Sequence, residues 1–221
     1  MSTTPDDFRR RFTGICLIAG PIVMTAAMAL KTVSSQDSRT ILTEVAADPS
    51  RFRLSILLQL VAVLLLVPGL AGLPRLFPGR GAVLGHLGIG LLTLNMLANL
   101  GDAASGSALS AIAPGGVTDQ NVAILDAVAR EPVFIIIQLM VLIGLLGFVL
   151  LAVALFRART VHWAIPTLLL ATLVSFFVPI TEALGGVLLV LAYGWIGARF
   201  LRPEPATEHV VEHAAEPAAA G

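Results

Sequence analysis

The sequence predicts an all-α fold: a polytopic transmembrane helical bundle of six spans, arranged as three parallel-repeat helical hairpins. Six uncharged apolar stretches fill most of the 221 residues, at 12–30, 54–74, 81–101, 132–156, 160–181 and 183–198. Each is close to the roughly 20 residues that cross a ~30 Å hydrocarbon core as a helix. Composition agrees, with 57% hydrophobic and 13% charged residues, where a soluble domain carries about 25% charged. In lipid an open sheet would leave its backbone unsatisfied, so the spans are helices.

Residues 1–11 form a cytoplasmic N-terminal segment ending in Arg9, Arg10 and Arg11, and residues 12–201 form the membrane domain. The first apolar run ends Ala27-Met28-Ala29, as a cleavable signal peptide can. Its 19 residues exceed the 7–15 of a signal-peptide core, which predicts a retained signal anchor. Cys16 is the lone cysteine, so no intrachain disulfide forms. Two amphipathic outer helices are expected near 38–48 and 119–130. Ile41, Leu42 and Val45 share one face of the first, and Leu125, Val128 and Ala129 one face of the second. Thr118 or Asp119 can cap the second, and Pro49 and Pro132 end the two. At about 10 residues neither is stable alone, which puts them on the membrane surface or across the bundle mouth. Residues 160–198 hold a single charge, Glu182. With Pro179 it marks a tight outer turn between the last two spans, and Tyr193 and Trp195 are candidate interfacial anchors. Residues 202–221, rich in Pro, Ala and Glu, read as a disordered cytoplasmic tail.

Charge sets the orientation. With the N-terminus inside, the inner junctions hold Arg9, Arg10, Arg11, Arg75, Arg80, Arg157, Arg159, Arg199 and Arg202. The outer ones hold Lys31, Arg39, Arg51, Arg53 and Arg130. Cytoplasmic loops are enriched in Lys and Arg, so both termini are expected in the cytoplasm. One lysine against thirteen arginines in an Ala-rich chain is a high-GC bias, which associates the protein with a bacterial plasma membrane. A formal net charge of zero leaves no basic face for nucleic acid.

The chain also resembles itself. Ile41-Leu42-Thr43-Glu44-Val45-Ala46-Ala47-Asp48-Pro49 aligns with Ile124-Leu125-Asp126-Ala127-Val128-Ala129-Arg130-Glu131-Pro132. After a shift of four residues, Gln59 aligns with Gln138, Leu76-Phe77 with Leu155-Phe156, and Arg80 with Arg159. Such repeats occur in transporters, and also arise by plain duplication.

Polar side chains within spans are costly and therefore informative. Asn95, Asn99 and Asp102 follow at i, i+4 and i+7 on one helical face. Gln59 and Gln138 lie near the outer ends of their spans, and Thr181 and Glu182 at the tip of the last hairpin. All fall in the outer half. They define a candidate ligand-binding set of Asn95, Asn99, Asp102, Gln59, Gln138 and Glu182. The same amides would serve equally as hydrogen-bonding glue between helices. Gly81, Gly85, Gly186, Gly194 and Gly197 read as sites of close helix approach.

No catalytic residue, cofactor or metal site is expected. His86 and His162 stand at inner ends of different spans, and His209 and His213 lack the H-E-x-x-H context. Leu100-Gly101-Asp102 matches part of a membrane aspartyl protease element, but no second Asp lies within a span. The leading expectation is a non-enzymatic protein in the lipid bilayer that binds or transports a small polar solute or ion through an outward-facing pocket. The alternative is a structural or accessory subunit, and an intramembrane enzyme comes third.

The Arg-led first span, the outer helix ending acid-Pro and the second span closed by Leu73-Pro74-Arg75-Leu76 carry a family resemblance. Over residues 8–201 the chain is similar to small six-helix integral membrane proteins of actinobacterial type that remain uncharacterised. The resemblance implies the architecture and brings no catalytic or binding residues with it.

Overall fold

The computed structural model describes residues 5–31, 37–77, 79, 81–175 and 182–202. Among these residues every regular element is helical: α1 Pro5–Leu30, α2 Ser38–Ala47, α3 Pro49–Gly72, α4 Ala82–Ile112, α5 Asp119–Arg130, α6 Pro132–Ala158, α7 Ala164–Ser175 and α8 Glu182–Leu201. Single 3₁₀ turns, Leu73–Leu76 and Ala113–Gly115, extend α3 and α4.

Five of the described segments are long and apolar enough to cross a membrane: Pro5–Leu30, Pro49–Leu76, Ala82–Gly115, Pro132–Ala158 and Leu184–Leu201. The stretch read as a fifth crossing, 160–181, contributes α7, a 12-residue helix of about 18 Å at 1.5 Å per residue. Pro179 and Thr181 lie outside the described residues, as do Arg80 and the tail from 203 with His209 and His213.

α3 and α4 extend beyond their apolar runs at the same end of the bundle. Asp48 is both the end of α2 and the N-cap of α3, accepting from the Arg51 amide at 3.0 Å and the Ser50 hydroxyl at 2.8 Å. Pro49 stands in the first turn of α3, where its missing N–H costs nothing. The acid-Pro pair therefore ends one helix and starts the next. α4 continues past Gly101 to Ile112, because its serines satisfy themselves on the helix. Ser105 donates to the Gly101 carbonyl and Ser107 to that of Ala103. At 31 residues, α4 spans about 46 Å and stands well clear of a ~30 Å core.

The long helices and α7 form a closed ring, with neighbours in the order α1, α3, α4, α6, α7, α8 and back to α1. Neighbours run antiparallel. Along α1 and α3, Thr13 meets Gly72, Leu17 meets Gly69 and Gly20 meets Leu66; along α1 and α8, Gly14 meets Gly197 and Thr25 meets Gly186. These close approaches use the absence of a Cβ, as small-residue seams in membrane helices do. Gly88 of α4 likewise crosses Gly147 of α6, where a Cβ on either would fall within 3.1 Å of the other's carbonyl oxygen.

Leu17, Leu70, Leu92, Leu151, Leu155, Ile165, Leu169 and Ile196 fill the core, each almost fully buried. Leu57, Leu64, Leu87, Ile135, Leu142, Leu146 and Leu191 are more than half or about half exposed on the outside. So large an apolar surface is what a bilayer covers. Tyr193, expected at the interface, is instead a core residue at 3% exposure, while Trp195 is exposed.

A second, smaller core lies at one end of the ring, where Leu42 and Val45 of α2 pack with Phe52, Ile56, Ala103 and Ala113. Ser38 donates to Asp126 at 2.6 Å and Arg39 pairs with Asp119, tying α2 to α5. Asp37 caps α2, accepting from the Thr40 amide at 2.9 Å and its hydroxyl at 2.8 Å. Those two bonds hold the Asp37 carboxyl below its ordinary value. A depressed carboxylate stabilises the fold above its unfolded pKa, and that contribution is lost as pH falls through the folded value. Acidification below about pH 4 is expected to fray the first turn of α2. Amide exchange at Thr40, corrected for its intrinsic rate, checks this; unchanged protection from pH 6 to 3 would contradict it.

Candidate functional site

The same end of the ring holds a cavity of ≈ 280 Å³. Its walls come from the end of α1, the first turns of α3 and α6 and the extended part of α4, with α2 and α5 above. Helix continuity places each polar group. Lys31 follows directly on α1, its amide still bonded to the Ala27 carbonyl at 3.0 Å. The three serine-stabilised turns of α4 carry Asp102, Ser105 and Gly106 to the cavity wall, and Phe52, Ile56 and Phe134 supply apolar wall.

Lys31 and Asp102 form an ion pair at 3.9 Å, with side chains 48% and 41% exposed. At that separation and exposure the pair contributes little to stability, within the ~0–1 kcal/mol of surface salt bridges. Both charges are thus available to other partners. Gln59 Nε2 donates towards the Asn99 side-chain oxygen and the Asp102 carboxylate, each at 3.3 Å. Gln138 lines the same cavity from α6. It is exposed and makes no hydrogen bond among the described residues.

The six sequence candidates therefore divide. Gln59, Asp102 and Gln138 line the cavity. Asn95 does not: it is 6% exposed and donates from Nδ2 to the Val141 carbonyl of α6 at 3.0 Å. Asn99 links the two groups, donating to the Asn95 carbonyl at 2.8 Å while accepting from Gln59. The stripe splits because α4 lies between α3 and α6, so a face about 60° wide spans the seam between two neighbours. Glu182 opens α8, and its side chain lies outside the described residues. Lys31 and Ser55 belong to the site without having been singled out. A signal for Lys31 was present, since the sole lysine ends the first span at the depth where Asp102 ends the third.

Asn95→Ala is expected to remove an interhelical bond worth about 0.6 kcal/mol on average and up to 1.7, and to leave the cavity intact. Thermal melting beside any binding assay checks this; a loss of binding with stability unchanged would reverse the assignment.

The histidines stand apart from this site. His86 is exposed and bonded through Nδ1 to the Ala82 carbonyl at 2.6 Å, and His162 is exposed. Among the described residues no three His, Cys, Asp or Glu side chains gather as a metal-holding group.

Five apolar helices of spanning length and their apolar exterior define a multi-pass helical membrane protein. Comparison with known proteins takes the chain no further, as no family model, curated protein or solved structure matches it.

Proposed function

We propose that this protein binds, and in the membrane passes, a small polar solute or ion through the cavity beneath α2 and α5. The observation that carries the reading is a cavity lined by a loosely paired cation and anion, Lys31 and Asp102, together with the Gln138 amide, which has no hydrogen-bond partner among the described residues. A protein that used these groups only for packing would be expected to satisfy them.

The membrane arrangement in this proposal has six crossings, with α7 belonging to the fifth. The direction of α8 supports it. The end of α8 meets the start of α1, since Gly197 packs on Gly14, which favours an even number of crossings. Both termini then share a side, which the arginine bias makes the cytoplasm of a bacterial plasma membrane. The cavity opens outward. The pairing of α1 with α3, α4 with α6 and α7 with α8 supports three repeated hairpins, and the glutamines at matching repeat positions both reach the cavity.

The bonds from Asn95 to Val141 and from Gln59 to Asn99 favour a second reading, a structural or accessory subunit. Melting shifts of the purified full chain against ions, amino acids and small metabolites separate the two. A solute at 100 times its dissociation constant stabilises by about 2.7 kcal/mol. A shift lost in Asp102→Asn supports solute binding, and no shift across the panel leaves the structural reading.

A further inference from the structure

At the opposite end of the ring from the solute cavity lies a second cavity of ≈ 320 Å³, lined by Asp6, Asp7 and Arg10 of α1, Arg75 and Leu76 after α3, and Arg199 and Phe200 of α8. Three guanidinium groups from three chain segments converge there. Helical phase explains why Arg10 takes part and its neighbours do not. Arg10 continues the stripe of Gly14 and Leu17 that packs against α8 and α3, whereas Arg9 and Arg11 are exposed. A charge has been placed at the end of a packing seam, where a small or apolar residue would ordinarily stand.

The acids do not neutralise this site. Arg10 contacts Asp7 at 3.4 Å and Arg75 contacts Asp6 at 3.5 Å, well beyond the ~2.7–2.9 Å of a good charge-assisted hydrogen bond. Asp6 is 85% exposed. Among the described residues Arg199 has no ion-pair partner, and the buried Nε of Arg10 has no hydrogen-bond partner. Buried guanidinium donors ordinarily find an acceptor. The floor is apolar, since Leu76 and Phe200 are 8% and 6% exposed. On the other face of α1, Phe8 and Phe12 stack with ring centroids 6.0 Å apart and stand exposed at 66% and 46%. Apolar rings outside and arginines inside, at the same height, locate this cavity at the edge of the hydrocarbon.

We infer that the Arg10–Arg75–Arg199 cavity binds a phosphate oxyanion, as carried by the headgroup of an anionic phospholipid. The guanidinium fork matches phosphate oxygens two at a time, and basic pockets between membrane helices hold such headgroups. Phosphate oxygens satisfy Arg10 and Arg199 together and displace the loosely held Asp6 from Arg75. The acyl chains leave the cavity for the bilayer, whose edge Phe8 and Phe12 mark from the other face of α1. That the leaflet is the cytoplasmic one rests on the orientation proposed above; the binding itself does not.

The test uses the full chain in a neutral detergent, titrated with dioleoylphosphatidylglycerol, dioleoylphosphatidylcholine and inorganic phosphate, with affinity read from melting shifts. Phosphatidylglycerol is expected to bind more tightly than phosphatidylcholine. Arg199→Gln should weaken it about fivefold, the equivalent of one interfacial Arg. Asp6→Asn, which removes a competing carboxylate from an exposed position, should tighten it by a similar factor. That gain is something a merely damaged fold would not produce. Inorganic phosphate that competes with the lipid identifies the free phosphate group as sufficient, and failure to compete identifies the headgroup with its chains. Equal affinity for the two lipids, or indifference of phosphatidylglycerol binding to both Arg199→Gln and Asp6→Asn, would overturn the inference. Asp102→Asn leaves this binding unchanged, so the two sites fail or stand separately.

Discussion

Gly147→Ala is expected to lower the stability of the bundle by about 1–3 kcal/mol, the usual cost of forcing atoms into a packed interior, and Gly147→Leu to prevent its assembly. A Cβ on Gly147 would stand 2.9 Å from the Gly88 carbonyl oxygen and 2.9 Å from the Leu92 nitrogen. Both are backbone atoms of α4, so no rotamer change relieves the clash and the two helices must separate. Gly88→Ala meets the Leu151 nitrogen at 2.8 Å and should behave alike. Gly90 and Gly194 provide the control, because a Cβ at either meets nothing within 4 Å. Alanine at those positions should be neutral, or stabilising by up to about 1 kcal/mol through helix propensity. Melting temperatures of the four alanine variants in one detergent decide the matter. Equal melting of Gly147→Ala and Gly90→Ala would mean that α4 and α6 do not cross as described.

The second large effect concerns the solute cavity. Asp102→Asn should weaken solute binding at least tenfold, because a hydrogen bond to a charged group contributes about 1.5–3 kcal/mol and tenfold corresponds to 1.4. Its effect on stability should be small, since the Lys31 pair is long and half exposed and an asparagine can still accept from Gln59. Gln138→Leu sharpens the comparison. With no hydrogen bond among the described residues, Gln138 can be lost at little cost in stability, so weaker binding in that variant can only report a direct contact. Normal binding in both variants, alongside a destabilised Asn95→Ala, would leave the polar groups as helix-bridging elements.

Much of this architecture was legible because its signals are strong and local. Residues 132–156 form an uncharged apolar run that has no alternative in water or lipid but a buried or spanning helix. The short helices were legible from Asp48-Pro49 and Glu131-Pro132 together with their apolar faces. What was not legible depended on neighbours. Nothing in the sequence distinguishes Gly194, which faces open space, from Gly197, whose Cβ would stand 2.6 Å from the Gly14 carbonyl oxygen. Nor does the Asn95–Asn99–Asp102 spacing say that the stripe is divided between α6 and α3. The extension of α4 was hidden because Ser105, Ser107 and Ser110 read as polar loop residues until their hydroxyls are seen bonded back to the helix. Packing chose which of the candidate residues face the cavity.

The closing of the ring has a consequence for how the protein is made. α1 leaves the ribosome before α3 and α8, and it uses two packing faces, one against each of them. The first is covered early. The second, where Gly14 and Thr25 receive Gly197 and Gly186, lacks that partner until α8 is synthesised. Throughout insertion that glycine-lined face must be held by lipid or by the insertion machinery, and a nascent chain halted before α8 remains an open ring that any second copy could enter.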